Sequence, residues 1–415
     1  MNHKYLICVQ TKDLDTNKES NNNKFYEMIE NDNGTFTSFY GRIGSKPARR
    51  NYDMSKWHQK FYEKTTRVRN GYIYKDITHL KQMPNIKTQG FVDIKDDKLQ
   101  SILNTLQSYS SKSIKDNYTI ASEAVTQPQV DEAQREIDFI SNALTYNGYN
   151  QKTYDDINKH LIELFQIIPR KMKYVQDFLI YNDCKTDNVK RIISREQDTL
   201  DVMAGQVNVI TPNNSDEKIK LAEALNIRLN HIEDEDKINI LKLMGNNSNQ
   251  FVNAWIVDNT NTNPKFKQHK ETNSVKPWTK LLWHGSRNEN WLNILKTGLL
   301  IRPSGVVFTG AMFGNGIYFA DKAQKSIGYT SLNGSYWARG NDCKAFLAIY
   351  AVNTGMELRQ STHEHWMSSL TEQKLRDRGE YDSLFAVSGN SLRNNEFIVY
   401  NKNQCTIKYL VEISK

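Results

Sequence analysis

Between Asp96 and Gly205 glycine is almost absent, and apolar residues recur at steps of three and four. The runs LQSILNTL, AQREIDFISNAL, YDDINKHLIELFQII and VKRIISREQDTLDVM all carry this spacing, which lines one face of an α-helix and cannot line one face of a strand. Pro128 and Pro169 fall where helix ends are expected, because proline is tolerated in a first turn and interrupts a helix elsewhere. The pattern predicts an all-α bundle over residues 96–206. It thereby divides a 415-residue chain, too long for one ordinary domain, into three parts.

The flanks read differently. Residues 1–82 hold KYLICVQ, KFYEMIE and TFTSFYG, short runs rich in aromatic and β-branched residues and broken by Asn, Asp and Gly. Asn31–Gly34 is a hairpin turn signal, and SKWHQKFYEKT predicts an amphipathic helix with Ser55 as its N-cap. Residues 83–95 are polar, contain Pro84 and Gly90, and read as a linker. From residue 207 to 415 the text becomes mixed α/β, with strands expected at KLLWHGS, GIYFA, KAFLAIYAV, NEFIVY and IKYLVEI. The fold class is multidomain α+β: a small β-rich module, an all-α bundle, and a mixed α/β domain.

The chain carries a net charge of +8. Ten basic residues against Asp53 and Glu63 lie between Arg42 and Lys75, so this one segment holds an excess equal to that of the whole chain. A charge run is ordinarily a solvated face, but such concentration, with Tyr52, Trp57, Phe61, Tyr62, Tyr72 and Tyr74 interleaved, points to phosphate binding. Arg42, Lys46, Arg49, Arg50 and Trp57 are the candidate DNA contacts. Cys8, Cys184, Cys343 and Cys405 are scattered, which predicts free thiols in a reducing compartment and no zinc site. With no apolar run of membrane-spanning length and no signal-peptide pattern, the chain is expected to be intracellular, and nuclear in a eukaryotic host.

The last third carries the chemistry. WHGSR (283–287), TGAMFGNGIYFAD (309–321), KSIGY (325–329) and NNEFIVY (394–400) occur in that order. Together they resemble the catalytic domain of the poly(ADP-ribose) polymerase family in its His–Tyr–Glu form, over about residues 207–415. The resemblance implies NAD+ as co-substrate, no metal, and a catalytic triad of His284, Tyr318 and Glu396. It also implies that Gly285 offers its backbone, and Ser326 its hydroxyl, to the nicotinamide amide. Tyr329 and Tyr318 line the two sides of that ring, while His284 binds the adenosine ribose with Ser286 close by. Glu396 is implied to hold the nicotinamide ribose, stabilise positive charge on the sugar and polarise an attacking hydroxyl. Read alone, each has a bland alternative: a structural histidine, half-buried tyrosines, a capping serine, a surface carboxylate.

Residues 1–82 resemble the WGR domain, a DNA-break-sensing module, with Tyr40–Gly41–Arg42 in place of its signature triplet and Trp57–Thr65 as its helix. Residues 96–206 are similar to the family's helical regulatory domain, best at LIELFQIIPRKM and DNVKRIISREQDTLDV. The implied partners are DNA ends or nicks bearing a 5′-phosphate, and protein acceptors including the chain itself, with no membrane. The implied response is allosteric, part of a DNA damage response. Three positions depart from the pattern. Leu300 stands where DNA-activated members usually carry an arginine, with Arg302 as a substitute. Asn394 replaces an aromatic two residues before Glu396, and Asn315 a common lysine. Two alternatives stay open: a mono-ADP-ribosyltransferase on the same fold, and a catalytically silent DNA-end-binding scaffold.

Overall fold

The computed structural model describes residues 2–66, 68, 70–81, 91–120, 122–181, 184–210, 220–301 and 312–415. The expected linker is therefore described from Phe91 onward, and Arg67, Arg69, Arg302 and Thr309–Ala311 lie outside the described residues. The chain divides into two compact units. Of the described residues, one unit holds those within 1–88 and 113–207, and the other those within 89–112, 208–304 and 310–415.

The first unit opens with β1 (His3–Lys12), β2 (Glu19–Glu30), β3 (Thr35–Arg42) and β4 (Ala48–Asp53), followed by α1 (Trp57–Thr65), β5 (Lys75–Asp76) and α2 (Thr78–Lys81). The strands form an antiparallel sheet in the order β4-β3-β2-β1-β5. β1 is apolar on both faces because both are covered. Leu6 and Cys8 join Tyr26, Met28, Phe36, Trp57 and Tyr74 on one side, while Tyr5, Ile7 and Val9 join the helical core on the other. The β2–β3 turn places Gly34 at φ +73°, a conformation that glycine adopts without a Cβ penalty. The helix expected from Ser55 begins instead with a 3₁₀ turn capped by Asp53, whose carboxylate accepts from Ser55 N at 2.9 Å, and α1 follows at Trp57. Asp outcompetes Ser here because its carboxylate reaches the N–H two residues on.

α3 (Asp97–Asn117), α4 (Gln127–Asn147), α5 (Gln151–Ile167) and α6 (Thr186–Ile210) are the four predicted helical runs. α4 starts on a Thr126–Gln129 capping box with Pro128 in its first turn, and Asn150 caps α5. The apolar faces of α4, α5 and α6, with Ile137, Ile157, Leu161, Phe165, Val189 and Met203, join Ile114 from the last turn of α3 in the core that also receives Ile7 and Val9, while Leu99, Ile102, Leu103 and Leu106 of α3 belong to the core of the second unit. Inside this unit Arg170 and Glu196 form a buried ion pair at 3.2 Å.

The second unit contains residues 97–112 of α3, then α7 (Leu221–Ala224), β6 (Ile227–His231), α8 (Asp234–Met244), β7 (Phe251–Asn259), α9 (Thr262–Thr272), β8 (Thr279–Gly285) and α10 (Trp291–Thr297). After these come β9 (Ile317–Phe319), α11 (Ala323–Ile327), β10 (Lys344–Asn353), β11 (Glu357–Gln360), α12 (Glu372–Arg376), β12 (Ser383–Ala386), β13 (Glu396–Val399) and β14 (Cys405–Ser414). Two sheets result, ordered β6-β7-β14-β10-β8 and β11-β12-β13-β9. A two-bond bridge between Trp283 and Ala320 joins them. β10 is a nearly continuous apolar run because the core closes over both of its faces: Phe346, Ala348 and Tyr350 on one, Leu347 and Ile349 on the other. Among the described residues no helix is long and apolar enough to cross a membrane, no cluster of His, Cys, Asp and Glu could hold a metal ion, and all four cysteines are free.

Candidate active site

The strand period of two sets the site's first residue. On β8 the indole of Trp283 enters the core and donates to Leu243 O at 3.2 Å, so His284 faces the opposite way, edge-on to Phe319 and Tyr350. His284 Nδ1 donates to the Tyr318 carbonyl at 3.0 Å. Burial holds its pKa below the usual histidine value, against the pull of that carbonyl. The ring is thus neutral with Nδ1 protonated, which leaves Nε2 as a hydrogen-bond acceptor.

Gly285 ends β8 against α11, so closely that a Cβ would overlap the carbonyl oxygen of Ser326. Ser326 is buried, and its carbonyl also accepts from Tyr329 N at 3.0 Å. Beyond Gly285, Ser286 Oγ accepts from Asn290 Nδ2 at 3.1 Å. Asn288 then ties the loop down: its backbone N–H donates to Ser331 Oγ, its side-chain Nδ2 donates to Asp342 and Lys344 O, and its side-chain Oδ1 accepts from Phe346 N.

Tyr318 lies on β9, paired with Ile398 of β13. Its hydroxyl accepts from Phe313 N at 3.0 Å and donates to Gly314 O at 2.8 Å, so the tip is committed to the loop before β9 while the ring remains a wall. Burial keeps the phenol far from ionising, with the neighbouring Tyr329 adding to the effect. Burial likewise raises Tyr329.

Glu396 opens β13, two residues before Tyr318's partner on that strand. It is 6% exposed. One carboxylate oxygen pairs with the ammonium of Lys325 on α11, and the other, Oε2, accepts no hydrogen bond among the described residues. Burial lowers the Lys325 pKa to about 8, and the charge of Asp321 works against that shift. Asp321 in turn accepts from Asn395 Nδ2 at 2.6 Å.

Contacts therefore run from His284 through Tyr318, and from Gly285 through Ser326 and Lys325 to Glu396, with Tyr329 one turn beyond. These six predicted residues are brought together around a neutral acceptor, two flat rings and a sealed carboxylate with a spare oxygen. Such a set can hold a sugar nucleotide and support positive charge on the sugar. Three members were not singled out from the sequence. Lys325 stood inside the KSIGY motif and Asp321 at the end of TGAMFGNGIYFAD, both without a role, and Asn288 has no signal beyond its place in the loop after β8. Leu300 is 44% exposed, Asn315 N donates to Leu370 O at 3.2 Å, and Asn394 is half-buried.

The predicted DNA contacts lie in the other unit. Lys46, Arg49 and Arg50 are exposed, the last two on the edge strand β4. Arg50 lies 5.2 Å over the ring of Tyr52. Arg42 is half-buried and spends its guanidinium on the carbonyls of Asn21 and Lys173 and the side chain of Asn21. Trp57 is corrected: at 7% exposure, edge-on to Phe36, its indole is a core group and not a surface contact.

Residues 239–415 match the poly(ADP-ribose) polymerase catalytic domain. A poly(ADP-ribose) polymerase-like protein of Invertebrate iridescent virus 6, 100L, is 38% identical over 162 residues, covering 36% of this chain and 82% of the viral protein. The uncharacterized protein 101L of the same virus is 26% identical over 218 residues, 52% of this chain and 84% of its own length. Human poly(ADP-ribose) polymerase 2 is 33% identical over 153 residues, 32% of this chain and 26% of the human protein.

Proposed function

Since the chain belongs to the poly(ADP-ribose) polymerase family, we propose that it transfers ADP-ribose from NAD+ to protein acceptors, itself included, and extends the product into a polymer when broken DNA is present. The observation that carries this reading is Glu396: a buried carboxylate with one oxygen on Lys325 and the other without a donor among the described residues. An unpaired buried acceptor is costly unless a ligand supplies its hydrogen, and a ribose hydroxyl has the right chemistry.

In this reading NAD+ fits the residues present. Neutral His284 accepts from a hydroxyl of the adenosine ribose through Nε2, with Ser286 beside it. The backbone of Gly285, free of a Cβ, and the hydroxyl of Ser326 take the nicotinamide amide. The rings of Tyr318 and Tyr329 flank the nicotinamide. The glycosidic C1′–N bond breaks with its electron pair leaving on the nicotinamide nitrogen, and positive charge appears on the ribose. Glu396 stabilises that charge and orients the incoming nucleophile, whose oxygen bonds to C1′ as its proton passes by way of the Glu396 carboxylate to solvent. Elongation uses the same carboxylate on a ribose hydroxyl of the growing chain. Residues 1–82 serve as a WGR-like DNA-sensing module and residues 96–206 as a regulatory helical domain, and the exposed Lys46, Arg49 and Arg50 supply phosphate contacts.

The test is to incubate the purified chain with labelled NAD+, with and without nicked 5′-phosphorylated DNA, and separate the products by size. A high-molecular-weight smear that requires DNA and disappears in Glu396→Gln is the expected result. A single discrete band would mean transfer without elongation, equal labelling without DNA would remove the switch, and no label on a folded chain would leave a silent scaffold.

A further inference from the structure

After Tyr329 the chain forms a closed loop before it reaches β10. Bridges between Leu332 and Asp342 and between Asn333 and Gly340 pinch its ends. Inside it, Gly340 N donates to Ser335 Oγ at 2.7 Å. Arg339 N donates to Ser335 O at 3.1 Å, which holds Arg339 at φ +49°, a left-handed conformation rare for a side-chain-bearing residue. A loop pinned by its own hydrogen bonds at that many points presents its tip in one place.

That tip is Tyr336–Trp337, and it is fastened to the turn carrying Tyr329. The N–H groups of Trp337 and Ala338 both donate to Gly328 O, at 2.9 and 3.1 Å. The Trp337 indole stacks on the Tyr329 ring, with centroids 6.0 Å apart and planes 20° from parallel. Tyr336 meets Trp337 edge-on at 4.6 Å. The fit is close: a Cβ on Gly328 would lie 3.2 Å from Trp337 Cδ1. Yet Trp337 and Tyr336 remain 58% and 71% exposed, so burial of the indole is not what the arrangement achieves. What it does achieve is contact with Tyr329.

We propose that Trp337 is a positioning residue that acts through Tyr329. It backs one face of the phenol ring so that the other is already oriented for the nicotinamide. The inference rests on the transferase reading above. A ring fixed before binding loses less freedom when the ligand arrives. The benefit is shared by ground and transition states, so it belongs to KM and not to kcat. Aromatic pairs of this kind are worth a factor of roughly two to ten in an equilibrium constant.

The experiment compares wild type, Trp337→Ala, Trp337→Phe and Tyr329→Ala for NAD+ consumption and for inhibition by nicotinamide, with direct nicotinamide titration by calorimetry. Trp337→Ala is expected to raise both the KM for NAD+ and the nicotinamide inhibition constant by about three- to tenfold, to leave kcat within about twofold, and to melt like wild type. Trp337→Phe restores most of the loss, and Tyr329→Ala exceeds it. Unchanged KM and inhibition constants in Trp337→Ala, or a fall confined to kcat, would overturn the inference while Tyr329→Ala upheld the site. A folded wild-type chain that neither consumes NAD+ nor binds nicotinamide would overturn the transferase reading and this inference with it.

Discussion

The ammonium of Lys325 closes on the carboxylate of Glu396, and the two side chains are only 14% and 9% exposed. Lys325 precedes Ser326, which lies against Gly285. The cation is thereby built into the same short helix that packs against the end of β8.

This pairing sets a pH dependence. Burial lowers Lys325 to about 8, with Asp321 opposing, so the cation is present below that pH and lost above it. NAD+ consumption is expected to fall as pH rises through about 8, because Glu396 loses the partner that orients it. Lys325→Met is expected to be slower throughout and to lack that descending limb; initial rates of nicotinamide release between pH 6.5 and 9.5 check it. Stability moves the other way. A lysine lowered in the folded state binds its proton better when unfolded, so Lys325's contribution to stability rises with pH between about 8 and its ordinary value of 10.5.

Gly285 tests the packing beside this pair. A methyl group there would overlap Ser326 O, which already accepts from Tyr329 N. Gly285→Ala is expected to displace the start of the Ser326–Tyr329 turn and to abolish NAD+ turnover. The melting temperature should fall by an amount corresponding to about 1–3 kcal/mol, the usual range for overpacking. Wild-type turnover in this variant would show that the turn can yield.

The strands and helices that build the site were legible because their patterns are local. KAFLAIYAV reads as a buried strand since both faces of β10 are covered, and the motif residues on β8, β9, α11 and β13 stand in sequence as they stand in the fold. The parts that were not legible depend on tertiary contact. Asn288 is one asparagine in an Asn-rich chain until four partners converge on it. Trp337 reads as a loop aromatic until Gly328 O accepts from it. Trp57 sits in a basic segment, which suggested a surface role, but the pitch of α1 turns its indole onto Phe36. Arg49 and Arg50 are adjacent in sequence, and only the strand period separates their faces.

In the first unit the buried Arg170–Glu196 pair makes a separate prediction. Both side chains are 3% exposed, Arg170 lies 4.8 Å over the Tyr118 ring, and its Nε and Nη1 have no acceptor among the described residues. Glu196→Gln leaves a buried guanidinium without its counter-charge, which is expected to cost about 3–5 kcal/mol. The double variant Arg170→Met, Glu196→Met removes both charges and should recover most of that loss. Urea midpoints of the three proteins decide the matter; a double variant no better than the single one would mean that the pair holds the fold by more than charge balance.

The geometry of β4 makes the proposed DNA face testable one residue at a time. Arg49 and Arg50 are consecutive on an edge strand, opposite Phe39 and Ser38 respectively, so their side chains leave on opposite faces of the sheet. A duplex lying against one face meets one of them. Each phosphate contact contributes about 0.9 to the slope of log affinity against log salt. Affinities for nicked DNA measured across a salt series should therefore show the slope reduced by about 0.9 in one of Arg49→Ala and Arg50→Ala and unchanged in the other. Lys46→Ala, on the turn before the strand, is expected to follow the variant that changes. Equal losses in both arginine variants would mean that the DNA wraps the edge, and no change in any of the three would remove β4 from the interface.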